Sequence, residues 1–285
     1  MKSSNPEQTG FFRRREGRAL ASSISHPPPA VGSDRLYLLA ASAYRPFRPV
    51  YDTLAAMGVY KLDPEAIREL QSPGPGDLLD RSGANAASVL DRIQSRSPDS
   101  AWRIGEYLTA IVPGTVGIEP KSIGPKLTLE FLQQVQGEPD PRRFLANSMS
   151  DGTLHALGVL VALFQCSGSA SESPGLVGIE EPETALHSAA AGVLTDVLGE
   201  ASEHVQVIVT SHSADLLDQD AIPEESILAV DTEQGATRIA PLDETSRSTC
   251  QEGLFTAGEL LRMDQLTPDP AADASRPRDL FRNEA

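Results

Sequence analysis

The chain has 285 residues, of which 40% are hydrophobic, enough to bury one large α/β domain or two small ones. Its 40 acidic and 24 basic residues give a net charge of -16, which opposes non-specific attachment to nucleic acid or anionic lipid, so any DNA contact needs a local basic patch or a partner. Cys166 and Cys250 lie far apart and outside any C-x-x-C spacing, and the longest apolar run, around Leu157 to Phe164, is far short of a membrane span of roughly 18 residues; a reducing cytoplasm is expected, with no membrane partner.

Residues 1–33 carry Arg13, Arg14, Arg15 and Arg18 among Ser, Pro and Gly, with no apolar core and cleavage site behind them, and read as a disordered leader rather than a secretory signal. Patterning begins at Arg35-Leu36-Tyr37-Leu38-Leu39. The periodicity predicts a short helix over Val50–Met57 and a strand at Val59–Leu62; Ser72-Pro73-Gly74-Pro75-Gly76 then breaks the chain. A helix from Asn85 to about Ser95 carries Val89, Leu90 and Ile93 at helical spacing, with Asn85 as its cap. Trp102–Ile111 reads as another helix and Lys126–Gln133 as a strand. These segments form a partial N-terminal and helical region over residues 34–140, followed by a core at 141–265 and a disordered tail at 266–285.

Within 141–265 the order is polar turn, apolar helix, loop, apolar strand, helix, apolar strand, as in a parallel α/β sheet. The strands are Leu176–Ile179 and Val205–Val209, apolar enough to be buried on both faces. Each ends in polar residues, and ligands of open parallel sheets sit at the carboxyl ends of strands.

Three polar clusters result. Glu180-Glu181-Pro182-Glu183 follows the first strand, where nucleotide hydrolases place one carboxylate toward Mg²⁺ and the next toward the attacking water; Glu180 suits the first role and Glu181 the second, the bland alternative being solvated acids in a loop. Thr210-Ser211-His212-Ser213 follows the second strand, where His212 either senses a γ-phosphate or only caps a helix. Ser150-Asp151-Gly152-Thr153 opens the apolar helix, offering either free N–H groups to an anion or an ordinary cap.

In this order the clusters resemble the ABC-type ATPase heads of the RecF, SMC and OLD-like groups, often described as AAA-type ATP-binding domains. The resemblance implies a P-loop-NTPase-like α/β fold, a parallel sheet flanked by helices, with an incomplete N-terminal lobe. It implies ATP and Mg²⁺ as cofactors and a homodimer or heterodimer of heads sandwiching the nucleotide. Ser150, Asp151, Gly152 and Thr153 become the signature loop acting on the partner's nucleotide. Glu180 becomes the metal-side acid, Glu181 and His212 the catalytic pair, and Thr184, Ala185, Leu186 and His187 the D-loop at the dimer seam. DNA, a nuclease or a defence effector is the expected object of such a head, in DNA repair or phage defence.

The pattern departs from that family at Glu180, where many such heads have Asp, at His187, where many have a D-loop Asp, and above all in the phosphate-binding loop. A phosphate-binding loop needs G-x-x-x-x-G-K-[ST], and none of the four lysines, Lys2, Lys61, Lys121 and Lys126, stands in that frame. A truncated head is the favoured explanation. A non-catalytic subunit completing another chain's site through Ser150–Thr153 is the alternative, and a metal-dependent hydrolase using Glu180, Glu181, Glu183 and His187 a weaker third.

Overall fold

The computed structural model describes residues 12–15, 18–22, 38–165, 174–219, 221–233 and 235–271. Within the expected disordered leader, β1 (Phe12–Arg15) and β2 (Arg18–Ser22) pair antiparallel; the rest of 1–33 and the Arg35–Tyr37 start of the patterning lie outside the described residues. Two helices follow, α1 (Leu38–Ala41) and α2 (Arg48–Ala55), then β3 (Gly58–Tyr60), close to the expected helix and strand. The helix α3 (Pro64–Arg68) starts on Asp63, whose carboxylate accepts from the amide of Glu65, with Pro64 at the first position, where its missing N–H costs nothing.

Next come α4 (Ala86–Arg96) and α5 (Pro98–Ile111), which bury Val89, Leu90 and Ile93 and Ile104, Leu108 and Ile111. Asn85 precedes α4 without capping it. Its amide oxygen accepts from Asp80 N and its nitrogen donates to Leu78 O, both at 2.8 Å, so the side chain is used to close the preceding loop. An antiparallel sheet follows, ordered β4 (Thr115–Ile123), β5 (Lys126–Gln133), β6 (Arg142–Leu145).

The centre of the molecule is α6 (Asp151–Phe164), in which every residue from Thr153 to Phe164 is buried. A helix apolar all round is satisfied only in a core. It packs with α3, α4 and α5 and against β7 (Leu176–Glu180), which is linked through α7 (Ala191–Ser202) to β8 (Gln206–Thr210). The parallel sheet runs β3-β7-β8, with Val59↔Gly178↔Ile208 in one register row. Its inner face buries Tyr60, Val177 and Ile179; on the outer face Val59 is 51% and Ile208 49% exposed. The expectation that both strands are buried on both faces holds for the middle of β7 but not for β8, an edge strand whose residues alternate between exposed and half-buried.

Beyond β8 stand α8 (Ala214–Leu217), a hairpin of β9 (Leu228–Glu233) and β10 (Ala236–Pro241), then α9 (Glu244–Gln251) and α10 (Ala257–Arg262). The start of the expected disordered tail is held in place: Leu266 packs on a small second core around Leu242, Asp243 N donates to Thr267 O at 3.0 Å and Asp269 N to Pro241 O at 2.8 Å. Residues 272–285 lie outside the described residues, as does Cys166; Cys250 is a free, half-buried thiol whose pKa burial pushes up. No helix among the described residues is long and apolar enough to cross a membrane.

Candidate functional site

The two expected polar turns meet because β7 and β8 are parallel neighbours in register, Glu180 opposite Thr210. The ladder runs one residue past the strand: Glu181 N donates to Thr210 O at 2.8 Å. Glu181 then turns the chain with a φ of 47°, the left-handed region that a non-glycine residue enters at a cost of about 1–3 kcal/mol. Its carboxylate accepts from Thr184 Oγ1 at 3.2 Å, and Thr184 N donates back to Glu181 O at 3.0 Å. Ala185 is a second left-handed residue, at 61°. The loop 181–187 is thus a tight turn built around Glu181.

Glu183 joins this loop to the β8 turn. Ser211 Oγ donates to Glu183 Oε1 at 2.6 Å and accepts from Ser213 N at 2.9 Å, while Ser213 Oγ caps α8 by accepting from Leu216 N at 3.2 Å. His212 between them is exposed at the same sheet edge.

The α6 end closes the triangle. Ser150 caps the helix by accepting from Thr153 N at 3.3 Å, and its hydroxyl meets Thr153 Oγ1 at 2.9 Å. Gly152 lies against the D-loop candidate: a Cβ there would stand 2.3 Å from Ala185 O. Ser150 and Asp151 are exposed, whereas Thr153 is only 4% exposed and supports the cap from behind. Asp151 Oδ1 accepts from Arg68 Nη2 at 2.5 Å, and the same nitrogen donates to Met149 O at 3.2 Å, tying α3 to the turn.

Glu180 has basic company that the sequence reading missed. Arg81 Nη2 donates to its Oε1 at 3.0 Å and Lys61 Nζ lies 3.5 Å from its Oε2. Among the described residues no group of three His, Cys, Asp or Glu is placed to hold a metal. Indeed His187 turns its Nδ1 to its own helix, accepting from Ala189 N at 3.2 Å. A Mg²⁺ held mainly by water and phosphate needs only one or two carboxylates, and Glu180 fits that simpler demand if Lys61 and Arg81 swing away. Their side chains are 71% and 68% exposed, so each pair is worth no more than about 1 kcal/mol and the rearrangement is cheap.

A cavity of ≈ 120 Å³ lies behind the loop, lined by Glu183, Leu186, His187, Ser213 and Asp215 among others. It is smaller than the ~300 Å³ lower bound of ordinary ligand pockets and does not by itself house a nucleotide.

Residues 120–218 match the family model described as AAA domain, putative AbiEii toxin, Type IV TA system. This segment resembles an AAA domain. The match spans about a third of the chain and contains all three polar clusters, from Ser150–Thr153 to Thr210–Ser213. No curated protein matches the sequence. Similar solved structures include the Smc head domain with a coiled coil and joint from Pyrococcus yayanosii, at 16% identity and a TM-score of 0.40, covering 54% of this chain and 29% of that one. The SMC head domain from Thermotoga maritima gives 16% identity and 0.36, covering 55% and 52%. A structure described as structural biochemistry of ATP-driven dimerization and DNA stimulated activation of SMC ATPases gives 14% identity and 0.42, covering 59% and 96%. The chain thus spans less than a third of the first of these proteins and about half of the second.

Proposed function

We propose that the chain is an ABC-type ATPase head in which one sheet edge carries the hydrolytic residues and the adjoining α6 terminus faces a partner head's nucleotide. The observation that carries this reading is the hydrogen bond from Glu181 N to Thr210 O, which sets Glu181 and the Thr210–Ser213 turn side by side, with Gly152 packed on the same loop. Three motifs far apart in sequence become one structural unit.

In this reading Glu181 would accept a proton from the attacking water, and Thr184 Oγ1 orients its carboxylate. His212 donates to a γ-phosphate oxygen. Glu180 would hold Mg²⁺ through water, and the bound ion would neutralise charge on the phosphates. Ser150, Asp151 and the N–H groups around Gly152 face the nucleotide of the opposite head, where the positive end of α6 favours phosphate. Thr184, Ala185, Leu186 and His187 lie at the seam of the homodimer or heterodimer, and the whole acts in the cytoplasm. In a complex with a P-loop-bearing chain, Glu181→Gln is expected to trap the nucleotide-bound dimer and reduce turnover by at least ~100-fold; unchanged turnover rules the assignment out.

A second reading, a subunit that hydrolyses nothing itself and works through Ser150–Thr153, is favoured by a specific observation: Lys61 and Arg81 already neutralise Glu180. Isothermal titration of the chain with Mg-ATP separates the two, because micromolar binding by this chain alone contradicts the second reading.

A further inference from the structure

The helix α8 is a single turn, too short to hold itself in water, yet it directly follows the Thr210–Ser213 turn and starts on the Ser213 cap. Its apolar residues divide between two cores: Leu216, 1% exposed, belongs to the main core, whereas Leu217 packs on the small second core around Leu242. Its acids are claimed by α10. Arg262 Nη2 donates to Asp215 Oδ1 at 2.7 Å and Nη1 to Asp218 Oδ2 at 2.6 Å, so one guanidinium spans the acid in the helix and the acid that ends it. The other oxygen of Asp218 accepts from Thr256 Oγ1, the hydroxyl whose capping box with Glu259 opens α10. The two helices also meet at their backbones: a Cβ on Gly258 would stand 2.2 Å from both Ala214 O and Asp218 Oδ1. Exposed ion pairs are worth little one by one, but here both nitrogens of one fork and both oxygens of Asp218 are engaged against a close backbone contact.

We infer that Arg262 is a positioning residue for His212: by bridging Asp215 and Asp218 where Gly258 meets Ala214, it clamps α8 to α10 and fixes the turn on which His212 stands. The turn is then held from two sides. Ser211 Oγ ties it to Glu183 beyond β7, and Ser213 Oγ ties it to Leu216 N in the clamped helix. Without the guanidinium, Asp215 and Asp218 stand three residues apart as like charges on one side of the turn of helix, so the fastening is replaced by a repulsion. The bearing on hydrolysis rests on the role proposed for His212, but the clamp does not.

The test reads the turn without nucleotide, so its outcome is separate from that of the ATPase reading. Amide hydrogen exchange over 212–218 is compared in the native chain, Arg262→Gln, Asp218→Asn and the double variant. Each single variant is expected to exchange these amides roughly three- to tenfold faster while the β4–β5 amides keep their native rates, and the double variant to match Arg262→Gln, because both changes break one clamp. The ring signals of His212 are expected to shift in Arg262→Gln, with those of exposed His204 unchanged. Native rates over 212–218, equal acceleration in β4–β5, effects that multiply in the double variant, or an unmoved His212 each overturn the proposal. If the asparagine variant does not fold, Arg262→Lys decides, since it keeps the charge but spans only one carboxylate: acceleration over 212–218 short of that in Arg262→Gln supports the clamp, and a native rate refutes it.

Discussion

Gly152 gives the sharpest structural test. Replacing it with alanine puts a Cβ 2.3 Å from Ala185 O and 3.3 Å from Ala185 C. An ordinary carbon–oxygen contact is about 3.3 Å, so the loop or the helix end must retreat by roughly 1 Å. The obstacle is backbone already bent through the left-handed conformation at Ala185, not a side chain free to rotate. Overpacking of this kind costs about 1–3 kcal/mol, against a gain of up to ~1 kcal/mol from replacing a helical glycine. The expected net is a loss of about 1 kcal/mol. Gly105 in α5 and Gly199 in α7 supply the contrast, since an added Cβ meets nothing within 4 Å at either and alanine there is expected to stabilise by up to ~1 kcal/mol. Urea melts of the three variants read the difference as opposite shifts in midpoint. If Gly152→Ala stabilises as Gly105→Ala does, the loop is not where the structure places it and the contact between α6 and the D-loop candidate is lost from the account.

Burial pushes the His155 imidazole below its usual range, against a smaller opposing pull from the Glu181 carbonyl. The folded state therefore resists a proton that the unfolded chain accepts near pH 6.5; stability is complete above that value and falls by up to ~1.4 kcal/mol per pH unit as pH drops toward the folded pKa. Melts of native chain and His155→Leu at pH 7.5 and 5.5 check this, with the variant showing the shallower loss. Burial also raises the Tyr107 phenol, whose hydroxyl donates to Glu200 Oε2 at 2.6 Å; its contribution is complete below the unfolded value of about 10 and is lost as pH rises through the folded one. Absorbance at 295 nm should then show this tyrosine ionising later than an exposed one. Finally, Lys61→Gln with Arg81→Gln frees Glu180, and Mn²⁺ is expected to broaden NMR signals around Glu180 at severalfold lower concentration than in the native chain, the two exposed pairs together being worth no more than ~2 kcal/mol; identical Mn²⁺ dependence shows that Glu180 is not the metal-side acid.

Much of the candidate site was legible because polar residues at strand ends are conspicuous. Glu180-Glu181 and Thr210–Ser213 follow apolar runs, and the single helix between those runs brings them together on neighbouring parallel strands. Lys126–Gln133 and the helix at 151–164 emerge with little or no adjustment because their patterns are long. By contrast β4 was invisible: Gly117 and Pro120 interrupt it and its register shifts near Thr115, so its alternation is broken where pairing with β5 sustains the strand. Asparagine before a helix usually caps it, whereas at Asn85 tertiary closure of the preceding loop claims the side chain. Arg68, Lys61 and Arg81 reach their partners from 83, 119 and 99 positions away in sequence, a relation no local pattern carries. His155 did leave a sign, as the one ionisable side chain within an apolar helical run.

The most direct test is an NMR titration of the ¹⁵N-labelled chain with millimolar Mg-ATP. Weak shifts are expected in residues 180–187 and 210–213, the segments proposed to face this chain's own nucleotide, with 150–153 following only where two heads come together. Shifts centred elsewhere, or none in 180–187 and 210–213, contradict the proposed site.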